Sequence, residues 1–417
     1  MLASMQIFRV VDLLHGAIMI LDIIRLPYLY KNDGNDVFTQ TSVSLPNGSA
    51  VDWGDYNNDG YLDILINGSS PVVFKNNGDG TFTSISVSGC TGYGGGWGDY
   101  DNDGDLDIHI AGYSGSRLFR NDGNDTFYNT GINWGGSGYG YSSFCDYDND
   151  GDSDYAFYSQ NTDDSYSASS VEGLPGLHPS HATMAFGDYD NDGYLDYLTS
   201  GETGWGYSTH SLLRNNHNGT VSLVATGIPT VYNSLVKWGD FDNDGLLDIL
   251  SGGHGETKIY KNEGNGSFSN TTISFPDAVH GRAAWGDYNG DGVLDLAVHG
   301  NIYKGVSSAT NTAPQVPSNL QAVEEGNYII LSWDASSDQE TPSLGLNYAL
   351  RAGATPGSRD LISPESDDSG YRQAPKNGPA NGQCFWKIRK DHMPENGRFY
   401  WSVQAIDGAF AGSPWAQ

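Results

Sequence analysis

The sequence is poor in three things that commonly organise a chain of 417 residues: cysteine, basic charge and long apolar runs. Only Cys90, Cys145 and Cys384 occur, an odd and scattered set that excludes a disulfide scaffold. Lysine and arginine number 20 against 51 acidic residues, a formal charge of −31. That balance excludes nucleic acid as a partner, because such binding rests on basic contacts to phosphate. It opposes anionic membrane surfaces as well. The most apolar stretch, residues 7–24, is interrupted by Arg9, Asp12, His15 and Asp22, so it forms neither a clean membrane span nor the centre of an export signal. Either an export signal lies upstream of a truncated start or the segment is part of the fold, and the repeats below favour the fold. G-x-S-x-G, zinc motifs and phosphate loops are all missing. A chain of this charge favours cations.

Glycine, at 56 residues, and tyrosine, at 26, are abundant, while the helix formers are sparse. That mixture suits many short strands joined by tight turns. Aromatic residues make up 12%, which argues against disorder despite the acidity. Sequons at Asn47, Asn67, Asn124, Asn218, Asn265 and Asn270 arise easily in Asn-Gly turns and matter only in a secretory pathway.

One string recurs: WGDYNNDGYLDIL from Trp53, WGDYDNDGDLDIH from Trp97, FCDYDNDGDSDYA from Phe144, FGDYDNDGYLDYL from Phe186, WGDFDNDGLLDIL from Trp238 and WGDYNGDGVLDLA from Trp285. The first Asp falls at 55, 99, 146, 188, 240 and 287, so the spacings are 44, 47, 42, 52 and 47. A four-stranded propeller blade repeats at roughly 40–50 residues. A weaker string (VVFKNNGDGTF, RLFRNDGNDTF, SLLRNNHNGTV, KIYKNEGNGSF) reads as strand, Asn/Gly turn, strand. A seventh, eroded copy is expected at the start, with a strand at Leu21–Ile24 followed by PYLYKNDGNDVF, and the last copy stops after Lys304. The expected fold is all-β: a seven-bladed propeller (six blades with an irregular cap as the alternative) over 1–306. A linker at 307–319 and a β-sandwich over 320–417 follow. The recurring Trp53, Trp97, Trp238 and Trp285 are expected in the core.

Each string has the form D-x-D-x-D-G-x-x-D. Alternate carboxylates on a tightly curved loop converge, and the Gly permits the turn. The predicted ligand sets are Asp55, Asn57, Asp59, Tyr61 and Asp63; Asp99, Asp101, Asp103, Asp105 and Asp107; and Asp146, Asp148, Asp150, Asp152 and Asp154. The other three are Asp188, Asp190, Asp192, Tyr194 and Asp196; Asp240, Asp242, Asp244, Leu246 and Asp248; and Asp287, Asn289, Asp291, Val293 and Asp295. Position 7 contributes a backbone carbonyl. Hard oxygen donors in this number suit Ca²⁺, at about six sites. Asn57 and Asn289 carry no charge, which predicts weaker binding in those two loops. An EF-hand is excluded, because position 12 is Ile66 or Ile110 where a bidentate Glu is required. A turn alone needs one Asp or Asn, not four in register six times.

These strings resemble FG-GAP/VCBS repeats, from about Leu21 to Lys304. The resemblance implies an extracellular, calcium-loaded propeller that mediates adhesion or recognition, with no particular ligand. Beyond the linker, NYIILSW, NYALR and RFYWSVQAID alternate as sandwich strands do. Pro317, Leu320, Trp333, Tyr348, Tyr400 and Val403 resemble the core and turn positions of a fibronectin type III domain, possibly truncated at Gln417. Such a module implies a spacer or a self-association surface.

If calcium occupies one face, the variable connections lie on the other. Tyr93, Trp134, Tyr139, His181, Trp205, Tyr207, Tyr232, His280 and Arg282 are the candidate ligand-binding residues there. The alternative is that they plug the channel and pack between blades. The expectation is a secreted, cell-surface module binding a protein or glycan, without membrane insertion and without enzymatic activity. Two alternatives remain: a calcium-dependent polysaccharide lyase or hydrolase using His181 or His280, and a subunit of a surface assembly.

Overall fold

The structure is a computed structural model and describes residues 18–21, 28–92, 94–112, 115–133, 142–151, 153–157, 180–202, 208–231, 234–253, 255, 257–276, 283–298, 300–394 and 397–417. It is all-β, with only two short 3₁₀ turns among the described residues. The first sheet holds β1 (Ile18–Leu21), β2 (Tyr28–Asn32) and β3 (Phe38–Ser44). The strand expected at Leu21–Ile24 therefore lies earlier, with Ile18 paired to Lys31 and Leu21 to Tyr28. Ile-Met-Ile-Leu is uninterrupted and apolar, whereas the expected segment would carry Asp22 in its middle.

Antiparallel meanders follow at the repeat period. They are β4 (Ala50–Gly54) to β7 (Phe82–Ser86), with β5 (Asp63–Asn67) and β6 (Val72–Asn76) between, and β8 (Gly94–Gly98), β9 (Asp107–Ala111), β10 (Arg117–Asn121) and β11 (Phe127–Asn133). The pair β12 (Ser142–Cys145) and β13 (Asp154–Phe157) comes next, followed by β14 (Ser180–Gly187), β15 (Asp196–Glu202), β16 (Ser208–Asn215) and β17 (Val221–Val224). Then come β18 (Leu235–Gly239), β19 (Asp248–Gly252), β20 (Thr257–Asn262) and β21 (Phe268–Phe275), and a three-stranded sheet of β22 (Ala283–Gly286), β23 (Asp295–Val298) and β24 (Asn301–Tyr303). Each acidic loop joins the first strand of its sheet to the second. Strands β5, β9 and β19 are buried along their whole length, whereas β7 and β21 are mostly exposed. Second strands are covered on both faces, which is why they read as continuous apolar runs.

Neighbouring sheets meet through one recurring contact. In β4, β8, β14 and β18 the Gly closing the first strand lies under the next unit's aromatic ring: a Cβ on Gly54 would sit 2.8 Å from Trp97, and one on Gly187 would sit 2.7 Å from Trp238. Those rings are buried as expected, and their indoles donate back to Asp52 O and Ala185 O, each at 3.3 Å. A second bond repeats as well: Asn121 Nδ2 donates to Tyr56 O at 2.7 Å and Asn262 Nδ2 to Tyr189 O at 2.8 Å. The same bond joins the last repeat to the first sheet, from Asn32 Nδ2 to Tyr288 O at 2.8 Å.

Residues of β4, β8, β12, β14, β18 and β22 line one cavity of about 570 Å³. Its floor comes from the C-terminal module, where Lys376 Nζ reaches Asp52 Oδ1 at 3.0 Å and donates to Trp53 O at 2.6 Å. That module holds β25 (Ser318–Glu325), β26 (Tyr328–Asp334) and β28 (Phe385–Arg389) in one sheet, and β27 (Asn347–Gly353) and β29 (Tyr400–Ile406) in the other. Trp333, Tyr348, Trp386 and Val403 sit in its apolar core, with Leu320 packed against them. Tyr400 is 46% exposed at the start of β29. Gly412 and Ala416 form bridges with Ile406 and Val403, so the final residues lie along β29.

Candidate metal centres in the acidic loops

Hydrogen bonding shapes the acidic loops on a common plan, complete in those at Asp55, Asp99, Asp188 and Asp240. The position-1 carboxylate accepts the N–H groups of positions 5 and 6: Asp103 and Gly104 donate to Asp99 at 3.1 and 2.9 Å, and Asp244 and Gly245 to Asp240 at 3.1 and 2.8 Å. Position 9 accepts one N–H from position 2 and another from the third strand, as Tyr100 and Asn121 donate to Asp107 at 2.9 and 2.7 Å. Position 5 accepts from position 7, with Asp105 N donating to Asp103 Oδ1 at 2.9 Å. Such bonds account for three of the four aspartates as turn-formers.

In three loops position 3 has no such duty. Asp101 Oδ1, Asp190 Oδ1 and Asp242 Oδ1 are buried without a hydrogen-bond partner. An anionic oxygen held away from water and unpaired is strongly unfavourable unless a cation meets it. In four loops the carboxylates of positions 1, 3 and 9 come within 4.8 Å of one another: Asp99, Asp101 and Asp107; Asp146, Asp148 and Asp154; Asp188, Asp190 and Asp196; Asp240, Asp242 and Asp248. The residues present therefore fit a hard divalent cation, with oxygen donors only. Position 5 (Asp103, Asp150, Asp192, Asp244) stands outside these convergent groups. In the other two loops the amide turns inward as a donor, from Asn57 Nδ2 to Asp59 Oδ2 at 3.0 Å and from Asn289 Nδ2 to Asp295 Oδ2 at 3.1 Å.

The electrostatics agree with this geometry. Burial, helped by neighbouring carboxylates, pushes Asp63 and Asp196 up to about 9, Asp248 to about 8, and Asp146 and Asp188 to about 7. Asp99 and Asp107 are likewise held well above the carboxylate range. Asp101 rises to about 6, through burial and then the charge of Asp103.

One residue type escapes sequence reasoning although its signal was in plain view. Position 4 is Asn58, Asn102, Asn149, Asn191 or Asn243, always at positive φ, and its amide reaches the next loop. Asn58 donates to Gly104 O (3.2 Å), Asn102 to Gly151 O (2.9 Å), Asn149 to Gly193 O (2.8 Å), Asn191 to Gly245 O (3.0 Å) and Asn243 to Gly292 O (3.1 Å). These bonds string the six loops together. The last loop has Gly290 instead, and the sheet after it carries no acidic loop to receive a bond.

The C-terminal module lies against this same face, rather than extending from it as a spacer. A Cβ on Gly104 would sit 2.1 Å from Leu361 O, and one on Gly245 would sit 1.9 Å from Glu340 O. Position-6 glycines of the other loops face Arg359, Phe385, Leu344 and Asn311. Asp240 N donates to Gly408 O at 3.1 Å, Tyr371 Oη to Asp287 O at 2.9 Å and Asn381 Nδ2 to Asp146 O at 3.0 Å.

Of the expected ligand-face residues, Tyr93, Trp134, Tyr139, Trp205, Tyr207, Tyr232, His280 and Arg282 lie outside the described residues, as does Asp152 of the third loop. His181 lies on β14. Among the sequons, Asn67 is fully buried and closed to modification, whereas Asn47, Asn124, Asn218, Asn265 and Asn270 are exposed. Cys90, Cys145 and Cys384 are unpaired. No helix among the described residues is long and apolar enough to cross a membrane.

No curated protein sequence matches the chain. An Agrocybe aegerita lectin, solved for its specific recognition of non-reducing terminal N-acetylglucosamine, is 15% identical over 82% of both chains, with a TM-score of 0.35. The Tc holotoxin pore of Photorhabdus luminescens is 17% identical over 70% of this chain and 13% of its own, with a TM-score of 0.34. A functionally unknown protein from Desulfotomaculum acetoxidans is 11% identical over 73% of this chain and 86% of its own, with a TM-score of 0.29. At these scores the likenesses carry no argument about ligands. The FG-GAP-like repeat family matches residues 99–157 and 240–298, each running from one acidic loop through the next (Asp99 to Asp154 and Asp240 to Asp295), so the chain contains two FG-GAP-like repeats.

Proposed function

We propose that the repeats form a seven-bladed calcium-stabilised β-propeller that serves as an extracellular recognition or scaffolding module for a protein or glycan. The carrying observation is the buried, unpartnered Oδ1 of Asp101, Asp190 and Asp242 beside converging carboxylates. Calcium suits these flexible all-oxygen loops better than magnesium, which demands a stricter octahedron. About six sites are proposed, four with the full set of carboxylates and weaker ones at Asp55 and Asp287. The bond from Asn32 to Tyr288 O repeats the contact between neighbouring sheets and supports closure of seven blades into a ring.

Bound calcium would be structural, neutralising each loop and pinning the first strand to the second. The FG-GAP-like repeats support an extracellular setting, and the two-sheet C-terminal module is compatible with a fibronectin type III-like domain. Because that module covers the loop face, ligand contact falls to the opposite mouth of the cavity, where the variable connections lie. The chain is read as a binder rather than an enzyme, since its carboxylate clusters are accounted for by metal.

Thermal melts with calcium and with chelator test the cation reading, and coincident melts sink it. A glycan array with and without Ca²⁺ tests the recognition reading. Calcium-dependent signal supports glycan binding, and a blank array moves the function to protein adhesion or assembly.

A further inference from the structure

In three acidic loops the position-3 carboxylate is held by one oxygen only. Asp190 Oδ2 lies 2.6 Å from Arg214 Nε, and Asp242 Oδ2 is paired with Lys261 Nζ. Asp101 Oδ2 accepts from Arg389 Nη1 at 2.9 Å. In all three the other oxygen, Oδ1, is the buried and unpartnered one. Arg214 and Lys261 belong to the third strand of the loop's own sheet, immediately before Asn215 and Asn262. The matching residue of the Asp99 loop is Arg120, before Asn121, but its Nε donates to Asp122 Oδ1 at 2.7 Å. Arg389, from the end of β28 in the C-terminal module, takes the place that Arg120 leaves.

Arg389 is anchored for this task. Its Nε and Nη2 donate to the Asp391 carboxylate at 3.0 and 2.6 Å, and its backbone N–H donates to Asn102 O, in the same loop, at 3.0 Å. A bidentate guanidinium–carboxylate pair fixes direction as well as charge. His392 Nδ1 lies 3.6 Å from Asp103 Oδ2, so the segment grips positions 3, 4 and 5 of one loop.

We propose that Arg389 is a positioning residue for the cation site of the Asp99 loop, supplied by the C-terminal module where other loops use their own third strand, so that occupancy of this site and seating of the module are linked. The inference rests on the reading of the loops as cation sites. A competitor for the site would occupy Oδ1; Arg389 holds the opposite oxygen and leaves Oδ1 to the cation. Linkage is reciprocal, so filling the site also holds the module in place.

Calcium titration calorimetry on the full chain, for wild type, R389A, R389K and R214A, tests this. Outer-shell partners of metal ligands are worth roughly 10–100-fold in affinity. R389A should weaken one site by about tenfold or more and leave the rest unchanged. R214A should do the same to a different site, and R389K should recover part of the loss. In a D101A background R389A should add nothing. Hydrogen exchange over residues 385–392 should slow with calcium in wild type and not in R389A, a readout that a purely structural arginine would not move. If R389A fails to fold, R389K and D391A, which releases the guanidinium, carry the test with smaller losses. Unchanged affinities in every folded variant overturn the proposal, and a gain in affinity shows Arg389 to be a competitor. Wild type that takes up no calcium overturns the cation reading itself, an outcome distinct from either.

Discussion

The repeats and the C-terminal module are stabilised by different means. The module is built on one apolar cluster around Trp333, Tyr348 and Trp386; its buried Arg351 stacks on the Trp415 ring and reaches Asp368, and its buried Arg372 donates to carbonyl oxygens of Pro364 and Lys376. The repeats divide their core into several small clusters and bury carboxylates beside each. Asp63, Asp107, Asp196 and Asp248 are fully buried, each with N–H donors and no cationic side chain bonded to it. On the cation reading, the repeats should therefore respond to calcium more than the module does, although the module also buries one carboxylate, Asp407.

Calcium is the largest lever on this contrast. Each occupied site contributes about 2.7 kcal/mol at a hundredfold excess over its Kd, so several sites should raise Tm by many degrees. Hydrogen exchange should slow most in the acidic loops and second strands and least in β27 and β29; uniform slowing breaks the contrast. Next in size is Trp238→Ala, expected to cost about 3–5 kcal/mol, as large-to-small core changes do. Denaturant melts should show calcium restoring more of that loss than of the loss from Trp386→Ala.

The pH dependence follows from the raised carboxyls. Folded Asp63, Asp196 and Asp248 hold their protons to about pH 8–9, whereas unfolded aspartate releases them near 3.9. Their protonation therefore favours the folded state fully below that lower value, and the benefit is lost as pH rises through 8 to 9. Calcium-free protein should melt lower at pH 8 than at pH 5, and the Tm gain from calcium should be larger at pH 8. An equal gain at both values would mean that the ion does not displace these protons.

Asn102→Gly is a smaller change and a selective one. Glycine tolerates the φ of +57° and is what the last loop carries as Gly290, so only the bond to Gly151 O is removed. About 1 kcal/mol is expected in denaturant melts, and the Asp146 loop should lose calcium affinity while the Asp99 loop keeps its own. Leu223→Ser, at a side chain 71% exposed on β17, should stay within about 0.5 kcal/mol.

Much of this organisation is local and was therefore legible. A D-x-D-x-D-G-x-x-D string carries its own turn, its own carboxylate spacing and its own flanking strands, so the strand bounds and the four convergent loops follow from residues within one repeat. The Trp-Gly step was legible as core, but not its partner, because Gly54 packs against the next unit's Trp97. The β1 strand was displaced by a few residues because an eroded copy lacks the loop that sets the register elsewhere.

What the sequence alone determined, then, is the all-β repeat and the acidic loops, since each depends on spacing over fewer than about fifty residues. Only the tertiary structure decided that the C-terminal module lies on the loops, that Asn32 meets Tyr288 O, and that Arg389 clamps Asp101. Those contacts join residues hundreds of positions apart. No periodic pattern encodes them, because a surface charge such as Arg389 has no meaning until a buried carboxylate is brought within reach.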